Sequence, residues 1–185
     1  MNIFYLHSDP KKCAEMHCDK HVVKMIVETA QLLSTAHHEI DGYTSIECYK
    51  STHKNHPSAI WARKNRSNYQ WLWQLLQGLL VEYTSRYGKV HKTQSSGVFN
   101  NLKTLPYELK GGKFSEPPQC MPERCKAEGD AIMAYRNYYI REKSYMARWK
   151  FTEEPVWYTL GMAAEDIVDV VRLELSKSLK TLRAA

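Results

Sequence analysis

The sequence predicts an all-α protein: a single compact helical domain with a long Pro/Gly-rich loop between its second and third long helices. Two stretches, about 19–38 and 57–87, repeat apolar residues at the three-to-four-residue interval of a helix. Glycine and proline crowd the segment between residues 88 and 125, where Gly88, Gly97, Gly111, Gly112, Pro106, Pro117, Pro118 and Pro122 break helices repeatedly. Beyond it, two further stretches, about 128–149 and 162–182, return to helical spacing.

In chain order, residues 2–7 read as a short extended or buried segment. Ser8 or Asp9 before Pro10 starts a short helix that runs to about Met16, because an oxygen side chain caps and proline suits the first turn. Asp19 stands at the head of the next helix, where it either caps that helix or points a carboxylate into the same pocket as Glu28. His37 and His38 fall at the end of this helix, where the dipole favours cations, and are given structural roles. Asp41-Gly42 and scattered Ser and Thr mark residues 39–54 as irregular. Asn55 or His56 caps the second long helix, Pro57 fits its first turn, and Leu72, Leu75, Leu76, Leu79, Leu80 and Tyr83 form its core face. KFSEPPQCMPERC, stiffened by proline, is either the wall of a cleft or a plain crossover. The last helix puts Ile167, Val170, Val171, Leu175 and Leu179 on an inner face that serves packing or interaction.

A formal charge of +6 and a pI near 9.0 favour a polyanionic partner without identifying one. Five cysteines, no signal-peptide pattern and no apolar run of membrane-spanning length point to a reducing cytoplasm, free thiols and no membrane. Cys13, His17 and His21 recur every fourth residue, and Cys120 and Cys125 are available to join them. The second spacing is not a paired zinc knuckle, however, so neither metal nor cofactor is assigned.

The first long helix carries the chemistry. At about 100° per residue His21, Lys24, Glu28 and Gln31 fall in one quadrant of an otherwise apolar helix, with His17 joining them if the helix starts early. An acid, a base and an amide on a narrow polar seam suit the lining of a reaction pocket, the alternative being a solvent-facing stripe. Residues 61–71 mix Trp61, Arg63, Lys64, Asn65, Arg66, Asn68, Tyr69 and Trp71, and residues 135–143 repeat the mixture with Tyr135, Arg136, Asn137, Tyr138, Tyr139, Arg141 and Lys143. Rings stack on any base and cations neutralise phosphates, so two such patches suit nucleic acid; the alternative is buried tryptophans and solvated cations.

DKHVVKMIVETAQLL, then NHPSAIW some thirty residues later, then a Leu-rich helix ending EYTSRYGK, resemble the pyrimidine-dimer DNA glycosylase family, the small all-helical base-excision enzymes of phages and bacteria. The likeness covers about residues 2–89, with EPPQCMP and YRNYYIREK matching less closely beyond. It implies an all-α fold, insertion of a helix end into damaged duplex, and a glutamate acting at the sugar C1′; the spacing from His21 carries that role to Glu28. The family's dimer-specific enzymes also use a processed amino terminus as nucleophile, forming an imine and then nicking the strand. Here residue 2 is Asn, and methionine is normally removed only before small side chains, so Met1 is expected to stay. The family's arginines beside the glutamate are replaced by Val27 and Gln31.

The expected function is therefore a monofunctional DNA glycosylase that flips a damaged or modified pyrimidine, hypermodified viral bases included, out of duplex DNA and hydrolyses its glycosidic bond. Glu28 or Asp19 positions the water, and His21 and Lys24 tune the carboxylate or hold a flanking phosphate. Asn55, His56, Asn65, Asn68 and Gln31 read the base, while Trp61, Tyr69, Trp71, Tyr135, Tyr138 and Tyr139 stack on it. Arg63, Lys64, Arg66, Arg136, Arg141 and Lys143 hold phosphate. The alternatives are a non-catalytic nucleic-acid-binding module and an N-glycosidase of free nucleosides or nucleotides.

Overall fold

The computed structural model describes residues 1–42 and 46–184, with side chains described as far as residue 176. The helices are α1 (Pro10–Glu15), α2 (Asp19–Asp41), α3 (Pro57–Ala62), α4 (Arg66–Tyr87), α5 (Lys92–Ser95), α6 (Val98–Asn101), α7 (Ala131–Glu142) and α8 (Val156–Ala184), with a 3-10 turn at Glu123–Cys125. Among the described residues there is no strand, so the chain is all-α, as the sequence predicts.

The core forms where α1 and α2 pack on α4. Val22, Met25, Ile26, Leu32 and Leu33 of α2 and Leu72, Leu75, Leu76 and Leu79 of α4 are fully buried. Each such side chain contributes about 1.5–3 kcal/mol on leaving water, which outweighs the modest helix propensity of the β-branched residues among them. Gly78 lets α1 approach closely, since a Cβ there would lie 2.8 Å from the Ala14 Cβ. The N-terminal segment threads into this core: Ile3, Phe4, Tyr5 and Leu6 are all buried, and the Cys13 thiol donates to the Phe4 carbonyl at 3.3 Å and accepts from the Leu6 amide at 3.3 Å.

Side-chain caps set the helix boundaries and correct several expected ones. Asp9 caps α1 by accepting from the Lys12 amide at 2.9 Å. The single helix expected over 57–87 is two, because extended Asn65 caps α4 through the Asn68 amide at 2.9 Å and the Asn68 side chain donates to the Trp61 carbonyl in the last turn of α3. The helix expected over 128–149 covers only Ala131–Glu142, capped by Asp130 through the Met133 amide. The following chain turns back onto the α1–α2 junction, where the Trp149 indole donates to the Met16 carbonyl at 3.2 Å and the Asp19 amide to the Arg148 carbonyl at 2.9 Å. These contacts replace the intrahelical bonds that a continued helix would have made. Residues 43–45 of the irregular run lie outside the described residues.

The last helix departs most from expectation. Its first turns are anchored by buried Tyr158 against Trp149, ring centroids 4.7 Å apart, and by Gly161, where a Cβ would collide with Ile140. Past that point Ile167, Val170, Val171 and Leu175, expected on an inner face, are exposed; Leu179 lies outside the described side chains.

Two buried imidazoles make the fold sensitive to acid. Burial pushes the pKa of His17 down to about 4 and that of His21 to about 2. Both rings protonate near pH 6.5 in the unfolded chain, so their contribution to stability is complete above that value and is lost as pH falls through about 4 for His17 and lower for His21. Near pH 5 up to two extra protons on the unfolded state give a slope on the order of 3 kcal/mol per pH unit at most. Urea unfolding at pH 7, 6 and 5 is expected to show this steepening loss, and a flat profile down to pH 5 would rule it out.

Candidate active site

Glu28 stands midway along α2 with its side chain 18% exposed, neither solvated nor sealed. One carboxylate oxygen pairs with Lys24 Nζ at 3.3 Å, one helical turn earlier, and the other accepts from the backbone nitrogen of Asn2 at 3.3 Å. The amino-terminal segment thus ends against the carboxylate. The Asn2 side chain holds it there: Nδ2 donates to the Cys120 carbonyl at 2.8 Å, and Oδ1 accepts from the Tyr135 hydroxyl at 2.6 Å. The Tyr135 hydroxyl also lies 2.7 Å from the Pro118 carbonyl. The proline-stiffened segment and α7 therefore fix residue 2 from the far half of the chain.

His56 completes the rim. Its Nδ1 accepts from the Ser58 amide at 3.2 Å and caps α3, which requires that nitrogen to be unprotonated. Its pKa is lowered by burial, then by the charge of the chain's amino terminus and by His53, with Glu28 opposing; the ring, the terminus and the carboxylate therefore share one neighbourhood. Two non-glycine residues close to these in sequence adopt the left-handed region, Phe4, two residues after Asn2, at φ 43° and His53, three before His56, at φ 49°. Phe4 is held by packing on five rings, including Tyr138 stacked at 5.8 Å and His21 at 4.2 Å.

The polar seam differs from its expected form. His21 is buried, with Nδ1 2.5 Å from the Tyr139 hydroxyl, so it is a neutral packing group next to the seam. The exposed ribbon of α2 is instead Lys20, Val23, Lys24 and Val27, edged by half-buried Glu28 and Gln31. Asp19 is also displaced. Nine residues before Glu28, it faces the opposite side of the helix, where its carboxylate accepts from Arg86 at 3.1 Å and from the Lys150 amide at 2.8 Å. Asp19 thus neither caps α2 nor reaches Glu28.

Most aromatic candidates belong to the core. Trp61, Tyr69, Trp71, Tyr135 and Tyr139 are buried, with the Trp61 indole donating to Ser115 O, the Trp71 indole to Ser8 O and the Tyr69 hydroxyl to Leu102 O. Asn65 and Asn68 are buried too, tying Lys113 and Ser115 of the proline-stiffened segment to α4. None of these seven is free to meet a base. Three expected phosphate ligands are engaged within the protein: Arg66 with Leu109 O, Arg136 with Leu6 O and the Trp157 ring, and Arg141 with Glu165. Half-buried or exposed there remain Lys24, Gln31, Asn55, His56, Arg63, Lys64, Tyr138 and Lys143. Lys143 Nζ lies over the Tyr138 ring, 4.7 Å from its centroid, and both Lys143 and Lys24 add to burial in lowering the His21 pKa. Cations therefore lie around His21 on two elements.

Two residues that matter here were not singled out by pattern. Asn2 lacked any periodic context, and its role appears only when the Cys120 carbonyl and Tyr135 are brought against it. Arg86 sits in the EYTSRYGK stretch like a solvated end-of-helix cation, yet it is buried. Among the described residues no group of three or more His, Cys, Asp or Glu side chains is placed to hold a metal ion, and no helix is long and apolar enough to cross a membrane.

A family model described as pyrimidine dimer DNA glycosylase matches residues 1–95, the half of the chain that contains Glu28, Lys24, His56 and the amino-terminal segment. The chain belongs to the pyrimidine dimer DNA glycosylase family, which sets its class of activity as a DNA glycosylase and its class of substrate as DNA. Comparison with curated proteins and with solved structures returned no significant match.

Proposed function

We propose that this glycosylase hydrolyses the N-glycosidic bond of a damaged or modified pyrimidine flipped out of duplex DNA, with Glu28 as the carboxylate acting at the sugar C1′. What carries the reading is the setting of Glu28: a part-open carboxylate between Lys24 Nζ and the residue-2 nitrogen, in the family-matched half of the chain. Breaking the bond builds positive charge on the sugar, and a carboxylate placed beside it stabilises that charge or activates water on its face. Lys24, Lys64 and Lys143 hold flanking phosphates, Tyr138 offers a ring for stacking, and Asn55, His56 and Gln31 read the base.

The attacking group is water. With Met1 in place, the nitrogen that meets Glu28 is a peptide amide whose lone pair is delocalised into the carbonyl; it donates a hydrogen bond and does not attack carbon. The enzyme therefore stops at the abasic site. Duplexes carrying cyclobutane dimers, oxidised pyrimidines or hypermodified pyrimidines are incubated with enzyme, and free base and abasic sites are measured with and without borohydride. Release of base from one of these classes without a trapped protein–DNA adduct is expected. A trapped adduct sinks the hydrolytic route, and no release from any duplex sinks the assignment.

A further inference from the structure

Beyond its first turns, α8 is a long helix with an uncovered apolar face. Leu160, Ile167, Val171 and Leu175 are 66%, 65%, 51% and 59% exposed, and exposed Ala164 lies between them. At 100° per residue these five fall within about 80° of arc. Tyr158, Gly161 and Glu165, which meet the body of the protein through Trp149, Ile140 and Arg141, are centred about a third of a turn away. The apolar stripe thus faces outward, and a continuous apolar strip of this kind marks an interaction surface.

Two features of the helix select its partner. The sequence continues the stripe to give Ala164, Ile167, Val171, Leu175, Leu179 and Leu182, with steps of 3, 4, 4, 4 and 3 residues that read the same from either end. They average 3.6 residues per turn, so the stripe runs straight along the helix and is superposed on itself by reversal about residue 173. Charge is also split along the axis: residues 156–170 contain Glu165, Asp166 and Asp169 and no base, while 171–184 contain Arg172, Lys177, Lys180 and Arg183 and one acid, Glu174. Some of these charges are met within the protein, Glu165 by Arg141 and Asp169 by Arg172, but the halves keep opposite net sign. Laid head to tail, two copies set acidic half beside basic half; laid parallel, they set like beside like. Antiparallel pairing also aligns the helix dipoles favourably.

We propose that α8 is a homodimerisation element that pairs antiparallel, stripe to stripe, with α8 of a second copy of this chain. Ile167 then faces position 179 of the partner, and Val171 faces position 175. This assignment is independent of the chemistry at Glu28.

Sedimentation velocity over a concentration series tests it. The wild-type chain is expected to be a dimer at tens of micromolar, and Ile167→Asp/Val171→Asp a monomer whose helicity and unfolding midpoint match those of the wild-type chain diluted until it too is monomeric, since neither side chain contributes to the core. Orientation is read from charge: Asp166→Lys/Asp169→Lys makes both halves basic and should raise the dimer dissociation constant at least about tenfold at low salt, and added salt should weaken the wild-type dimer. A wild-type monomer at 100 μM, a dimer that survives the double aspartate change, or no weakening by the lysine pair each overturns the proposal.

Discussion

Replacing Glu28 with Gln is expected to lower kcat/KM for base release by about 10²–10³-fold while leaving duplex affinity within a few-fold. The amide keeps the shape of the carboxylate and can still accept from the Asn2 nitrogen 3.3 Å away, so the amino-terminal segment stays in place. What disappears is the negative charge that answers the cation developing on the sugar. Electrostatic groups aimed at developing charge carry about that much of a rate. Because the side chain is part-exposed and outside the packed core, the unfolding midpoint should hardly move. Loss of activity with intact folding and binding isolates the chemical step. An active Glu28→Gln enzyme would move the reaction centre elsewhere and leave a helical DNA-binding protein as the better description.

How much of this was legible in the sequence follows the reach of each interaction. The helical class and the cores of α2 and α4 depend on periodicity, a local property, and Leu72, Leu75, Leu76 and Leu79 are buried where the pattern puts them. The Asn65 break depends on one cap that sits inside an otherwise continuous helical pattern, so the pattern ran through it. At the site, the Glu28–Lys24 pair was readable because four residues make one turn. His21 was misplaced because a wheel gives an angle and not the depth of the neighbours; Phe4 and Tyr139 close over it from segments 17 and 118 residues away in sequence. The aromatic and basic patches repeated convincingly in sequence, but tryptophan and asparagine serve a core and a DNA surface equally well. Burial and hydrogen-bond partners separate these uses, and both are properties of the fold.

Arg86→Ala is expected to destabilise the protein by about 3–5 kcal/mol, the cost of breaking a buried charge network by removing one partner. The Arg86 side chain is wholly buried, and its three nitrogens are all in use. Nε and Nη2 both reach Glu82 Oε2, at 2.9 and 2.7 Å; Nη2 also donates to the Glu15 carbonyl at 3.0 Å, and Nη1 to the His17 carbonyl at 2.8 Å and to Asp19 at 3.1 Å. The two carbonyls belong to the end of α1 and the turn after it, where no intrahelical donor is available. A single guanidinium thus joins the end of α4 to the α1–α2 junction, and Asp19 extends the connection to the Lys150 amide. Alanine would leave two carboxylates and two carbonyls short of donors. Arg86→Lys should recover only part of the loss, because an ammonium cannot span the same fork of acceptors. The effect is to be read by urea unfolding at pH 7, with both variants assayed for base release at a temperature where they are folded. Retained activity there alongside the large stability loss is the expected pair of results, since Asp19 lies on the face of α2 opposite Glu28 and Arg86 of α4 pairs with it there. A change below about 1 kcal/mol for Arg86→Ala would mean that water or neighbouring groups satisfy the junction without the arginine, and that α1 is held to α2 by its apolar contacts alone.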